Sequence, residues 1–161
     1  MFLSINRGAV QRGEYGIEEF EHEVSEFDSF DAWLEAYEAY SDRVHLAIWR
    51  KANGILNWFD HNLESVKNQE KVDNPDRDGV WNCKLYPVTK AECEKLLEDC
   101  TRVWKTKEIP NDLQRTNGFF FGSQKIDDLY WEDIDYTVDV LTEKLDTIDW
   151  DSDRVYFHIS Y

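Results

Sequence analysis

The chain has 161 residues, 42% of them hydrophobic and 15% aromatic, and carries a formal net charge of -16. That length suits one domain, 1–161, whose core needs no covalent staples, and the aromatic content, with seven tryptophans, excludes a disordered chain. Cys83, Cys93 and Cys100 form no C-x-x-C pair, the four histidines are scattered, and no glycine-rich phosphate loop occurs, so neither a metal nor a cofactor is expected.

In chain order, "MFLSI" reads as a short strand with Met1, Leu3 and Ile5 on one side. Residues 8–16, "GAVQRGEYG", read as a loop. "DSFDAWLEAYEAY" predicts a helix from Asp28, an N-cap with Asp31 at capping-box spacing. Asp42 then caps a second helix, Arg43 to about Leu63. "KNQEKVDNPDRDG" is a polar loop, and "VWNCKLYPV" a short strand or extended arm. "TKAECEKLLEDCTRVW" is a helix with Thr89 and Glu92 at capping-box spacing and Cys93, Leu96, Leu97, Cys100 and Val103 inward. "KEIPNDLQRTNG" is loop. "GFFFGS" is an apolar stretch between glycines, and a last helix runs from about Trp131 to Leu145 with Ile134, Val138, Leu141 and Leu145 inward.

Asp149, Asp151 and Asp153 share the opening spacing of a calcium loop but lack its turn glycine and closing glutamate. They read as a capped, solvated turn. In "RVYFHISY", Val155, Phe157 and Ile159 alternate with polar-edged neighbours, which predicts a strand. The two chain ends then pair in a small antiparallel sheet. The expected fold class is α+β, a mainly helical single domain.

Charge is not spread evenly. Residues 14–40 hold ten acids and no Lys or Arg; residues 127–153 hold eleven acids and one base, Lys144. The remainder is mildly basic. Such acidity repels nucleic acid and anionic membranes and attracts basic protein surfaces. Each block is either a solvated helix face or an imitation of nucleic-acid charge.

Arg50 and Lys51 stand in the basic middle. On the expected helix, Val44, Ile48, Ala52, Ile55, Phe59 and Leu63 share the core face, Arg50, Asn57 and His61 lie opposite, and Lys51 and Trp58 share a flank. Gly54 in a helix centre costs about 1 kcal/mol relative to Ala and suits the close approach of a backbone or ligand. Arg50, Lys51 and Asn53 supply groups that bind an anion, and Trp58, Phe120, Phe121 and Ser123 supply stacking surfaces and a hydroxyl. The same cations could instead tie down the acidic segments. Catalysis finds less support: Glu132, Asp133 and His61 are acid–base groups without a nucleophile, oxyanion loop or metal set near them in sequence.

Together, "WRKANGILNWF", "GFFFGS" and "YWEDI" resemble a recurrent family of small bacteriophage proteins that carries a W-R-K-A-N-x-I-x-x-W-F helix, a G-F-F-F-G-S loop and an acidic-aromatic helix. The resemblance covers about Trp49 to Leu145. It departs at Leu56 and Asn57, where the family often has His-Lys, which removes a candidate general base. It implies a phage-encoded, non-catalytic accessory protein, acting in counter-defence from the cytoplasm of a host bacterium. Two functions are then expected. One is binding of a small anionic ligand such as a nucleotide immune signal. The alternative is an acidic inhibitor that imitates nucleic acid and binds a basic host protein. Neither engages nucleic acid directly or a membrane. No apolar run approaches the ~20 residues that span a bilayer, and the first residues lack the layout of a signal peptide.

Overall fold

A computed structural model describes residues 1–6, 29, 43–73, 85–115 and 125–159. Four strands, β1 (Phe2–Asn6), β2 (Arg43–Ile48), β3 (Leu85–Val88) and β4 (Arg154–His158), form one sheet in the order β2-β1-β4-β3, antiparallel throughout. Four helices, α1 (Asn53–Asn62), α2 (Glu64–Asp73), α3 (Lys90–Thr106) and α4 (Asp128–Lys144), complete the described part of a mainly helical α+β domain. The expected pairing of the ends is present: Leu3 opposes Phe157 and Ile5 opposes Val155. These four side chains are buried, and Phe59 of α1 stacks on Phe157 with ring centroids 3.8 Å apart. The central strands are covered on both faces, since Ser4 and Tyr156 are buried as well.

The structure corrects the expected helix from Arg43 to Leu63. Its first part is β2, the helix begins at Asn53, and Ala52 rather than Asp42 occupies the N-cap position. The physical reason is a β-bulge. The register moves from Leu3↔Ala47 to Ser4↔His45, which leaves Leu46 as the extra residue. Leu46 and Ala47 are therefore both buried and the two-residue period is lost, while Ile48, assigned to a helical core face, is 51% exposed. Lys51 takes the left-handed conformation (φ 62°) at the turn into α1.

A second correction concerns the polar loop. It begins as α2, which runs to Asp73. Its composition is poor in apolar residues, but its first turn is held from outside: Glu92 accepts from the Glu64 N–H, and the Ser65 hydroxyl donates to the Pro87 carbonyl. The helix from Lys90 carries its capping box in full, with Thr89 and Glu92 bonded reciprocally. The final helix starts at Asp128, earlier than expected, because Asp127 caps it by accepting from the Tyr130 N–H. Asp149 and Asp153 do form a capped turn, but Asp153 is buried and accepts from the Asp149 N–H, so it is not solvated. The expected helix from Asp28 and the "GFFFGS" stretch lie outside the described residues.

Side chains close both sheet edges. On β2, Tyr136 accepts from the Ile48 N–H and the Lys144 ammonium donates to the Leu46 carbonyl. On β3, Pro87 has no N–H to offer and its carbonyl is taken by Ser65. Open strand edges are templates for unwanted pairing, and these contacts occupy the groups such pairing would use.

Candidate functional site

Of the ligand-binding residues expected from the sequence, the four that are described do not share one surface. Arg50 and Lys51 are exposed on the β2–α1 turn. Asn53 is 1% and Trp58 0% exposed, so neither presents a surface to solvent. The reason is the same misplaced helix: with α1 beginning at Asn53, its polar and apolar residues alike face the interior from Asn53 to Phe59. Phe120, Phe121 and Ser123 lie outside the described residues.

What surrounds α1 is structural. Trp58 donates its indole N–H to Asp99 on α3 at 3.0 Å. Burial raises the Asp99 pKa, but hydrogen bonds from Lys95, Trp58 and Arg102 outweigh it and hold the carboxyl below its usual range. Asn57 donates to the carbonyls of Asn111 and Gln114, and Asn62 donates to Asp112. Gly54 is the close approach the sequence suggested: a Cβ there would stand 2.9 Å from the Leu113 carbonyl oxygen and 2.9 Å from the Tyr130 ring. The Leu113 backbone and the Tyr130 ring fill that space.

Of the acid–base candidates, the His61 ring meets the Asn57 carbonyl of its own helix. Burial pushes Asp133 up to about 6 against the pull of Arg115, with Glu132 and Asp127 adding to the rise. Among the described residues no hydrogen bond joins His61 to Asp133, and no cluster of metal-binding side chains occurs.

The exposed face of α4 is where charge is organised. Asp128, Glu132, Asp135, Asp139 and Glu143 follow one another at spacings of four, three, four and four residues, and Asp146 in the next turn continues them. At about 100° per residue the five helical positions fall within an arc of about 80°. Their stripe lies opposite Tyr130, Ile134, Thr137 and Leu141, which are buried. None of the six carboxylates has an ion pair among the described residues. Lys144, the one base of the acidic block, points to Leu46 instead. Leu129 and Tyr136, 62% and 39% exposed, flank the stripe one above the other, with Ile48 against Tyr136. The four-three-four-four spacing was present in the sequence, but counting charge by block conceals it.

No family model matches the chain, and no curated protein or solved structure matches it with significance. Among the described residues no helix is long and apolar enough to cross a membrane.

Proposed function

We propose that the protein binds a basic protein surface through the carboxylate ridge of α4, imitating the charge of a nucleic-acid strand. The observation that carries this reading is the ridge itself: six acids on one stripe, five exposed and Asp135 half-buried, none ion-paired among the described residues, with Lys144 of the same helix turned away. Asp128 to Glu143 spans about 22 Å at 1.5 Å per residue, or one carboxylate every 5 to 6 Å, roughly. One strand of duplex DNA presents a phosphate about every 3.4 Å.

A merely solubilising face has no need to carry such strain. Like charges at i,i+4 cost about 0.2–0.5 kcal/mol each on a helix, and the ridge contains Asp128–Glu132, Asp135–Asp139 and Asp139–Glu143. Glu143 and Asp146 also sit at the negative end of the helix dipole, where acids are unfavourable. Leu129 and Tyr136 add apolar contact beside the charges, as recognition surfaces do. With the phage resemblance, the target is a host defence or nucleic-acid-binding protein, and the role is inhibition in counter-defence.

The test is competition against DNA. Wild-type protein should displace a labelled duplex from a basic target, with an affinity that falls as salt rises. A variant with Asp128→Asn, Glu132→Gln, Asp135→Asn, Asp139→Asn and Glu143→Gln should lose at least tenfold. Five partly screened charges at about 0.5 kcal/mol each would give more than that. Equal binding by the variant would sink the proposal.

A second reading keeps one observation in its favour. Arg50 and Lys51 remain exposed and adjacent at the β2–α1 turn, open to a small anionic ligand such as a nucleotide. It predicts a thermal shift with a panel of linear and cyclic nucleotides that Arg50→Ala abolishes. A shift that survives in Arg50→Ala would rule out this turn.

A further inference from the structure

The acidic ridge ends at a cleft of about 260 Å³ between the first turns of α3 and the end of α4. Leu97, Leu141 and Leu145 line it, with the half-buried Trp150 beside them. Its polar rim is Lys90, Glu94, Thr142 and Asp146. Lys90 lies 3.7 Å from Glu94, so these two largely answer each other. Asp146, the last carboxylate of the ridge, has no ion pair among the described residues. The volume is just below the range of drug-sized ligand pockets and suits a single long side chain.

We propose that this cleft receives an arginine side chain of a basic partner protein. This deepens the ridge reading and rests on it. Three features specify arginine. The half-buried Leu97 and Leu145 offer an apolar wall to an alkyl stem, which long basic side chains readily bury. An indole at the edge can stack with a planar guanidinium, which is more weakly hydrated than an ammonium and gives up water more readily. Asp146 supplies a carboxylate that can accept the guanidinium fork. Continuity with the ridge completes the argument, because the charge that draws in a basic surface leads directly to the cleft. Arginines of this kind, seated in a partly desolvated pocket, dominate binding energy at many interfaces.

The probe is butylguanidinium, an arginine side chain with its Cα carbon, against butylurea, its neutral counterpart. Titration is followed by NMR at the Trp150 indole N–H and the Leu141 and Leu145 methyls. Butylguanidinium should give saturable shifts at all three, butylurea none or at least tenfold weaker ones. Asp146→Asn should weaken binding about tenfold. Lys90→Gln, which removes the competing cation at an exposed position and frees Glu94, should strengthen it severalfold. A merely structural role for either residue would not produce that opposed pair of effects. Equal shifts with both probes would show an apolar crevice without guanidinium selectivity and overturn the proposal, as would no saturable shift.

Failure here and failure of the ridge reading are separable. DNA competition that depends on the ridge, without butylguanidinium binding, removes the cleft alone. Selective butylguanidinium binding without any DNA competition keeps the cleft and removes the ridge reading.

Discussion

Replacing Gly54 with alanine sets two physical effects against each other with opposite signs. Helix propensity alone favours the substitution by about 1 kcal/mol. The structure reverses this. The new Cβ would lie 2.9 Å from the Leu113 carbonyl oxygen and 2.9 Å from the Tyr130 ring. Neither neighbour is the free end of a flexible side chain. Leu113 is fully buried, its carbonyl accepts from the Tyr130 hydroxyl at 3.1 Å, and Tyr130 is 1% exposed. Relief requires the 111–113 turn or α4 to move, against the bonds from Asn57 to Asn111 and Gln114. Overpacking of this kind costs about 1–3 kcal/mol, and weakening the buried tyrosine bond adds about 1 kcal/mol. After the propensity gain, a net destabilisation of about 1–3 kcal/mol is expected. In urea, with a slope near 2 kcal/mol per molar, that lowers the unfolding midpoint by about 0.5–1.5 M at unchanged slope. A midpoint equal to or above wild type would refute the packing argument.

Other predictions test charge and burial. Because Asp133 titrates near 6 in the folded protein and near the ordinary carboxylate value when unfolded, the folded state binds its proton more tightly. Stability relative to Asp133→Asn should therefore fall as pH rises from about 4 to 6. The change should be about 1 kcal/mol once partial exposure is allowed for, and pH-dependent urea titrations of both proteins measure it. Neutralising the α4 ridge as above should stabilise the fold by about 0.5–1.5 kcal/mol at low salt, the loss of Asp128 from the favourable first turn offsetting the relief at Glu143, with the gain shrinking at high salt, as thermal melts at two ionic strengths would report. Cys93 and Cys100 are buried, and burial pushes the Cys93 thiol up to about 12 and Cys100 higher still. Both should resist iodoacetamide in native buffer and react in denaturant, as read by peptide mass spectrometry.

The parts of the fold that local patterns encode were legible. Alternation at Val155, Phe157 and Ile159 against Leu3 and Ile5 anticipated the pairing of β1 with β4, and the Thr89–Glu92 capping box anticipated α3. β2 was not legible, because a bulge at Leu46 erases the strand period and leaves apolar residues at helical spacing through Phe59. Nor was α2, whose polar sequence depends on Glu92 and Pro87 from elsewhere in the chain. The site followed from the same error. Once β2 breaks the expected helix, Trp58 turns to Asp99 and Asn57 to the 111–114 turn, and of the four described candidates Arg50 and Lys51 are the ones at the surface. The acidity of residues 127–153 was plain, whereas its arrangement as a ridge needed the helix start at Asp128 and the contact that withdraws Lys144.

The most direct measurement is competition binding on one basic DNA-binding target, wild type beside the five-fold neutralised ridge variant, across a salt series. The ridge account predicts that wild type displaces the duplex, that its affinity declines steadily with salt, and that the variant binds at least tenfold more weakly with a shallower salt dependence. Equal displacement by both proteins, or a wild-type affinity indifferent to salt, would contradict it.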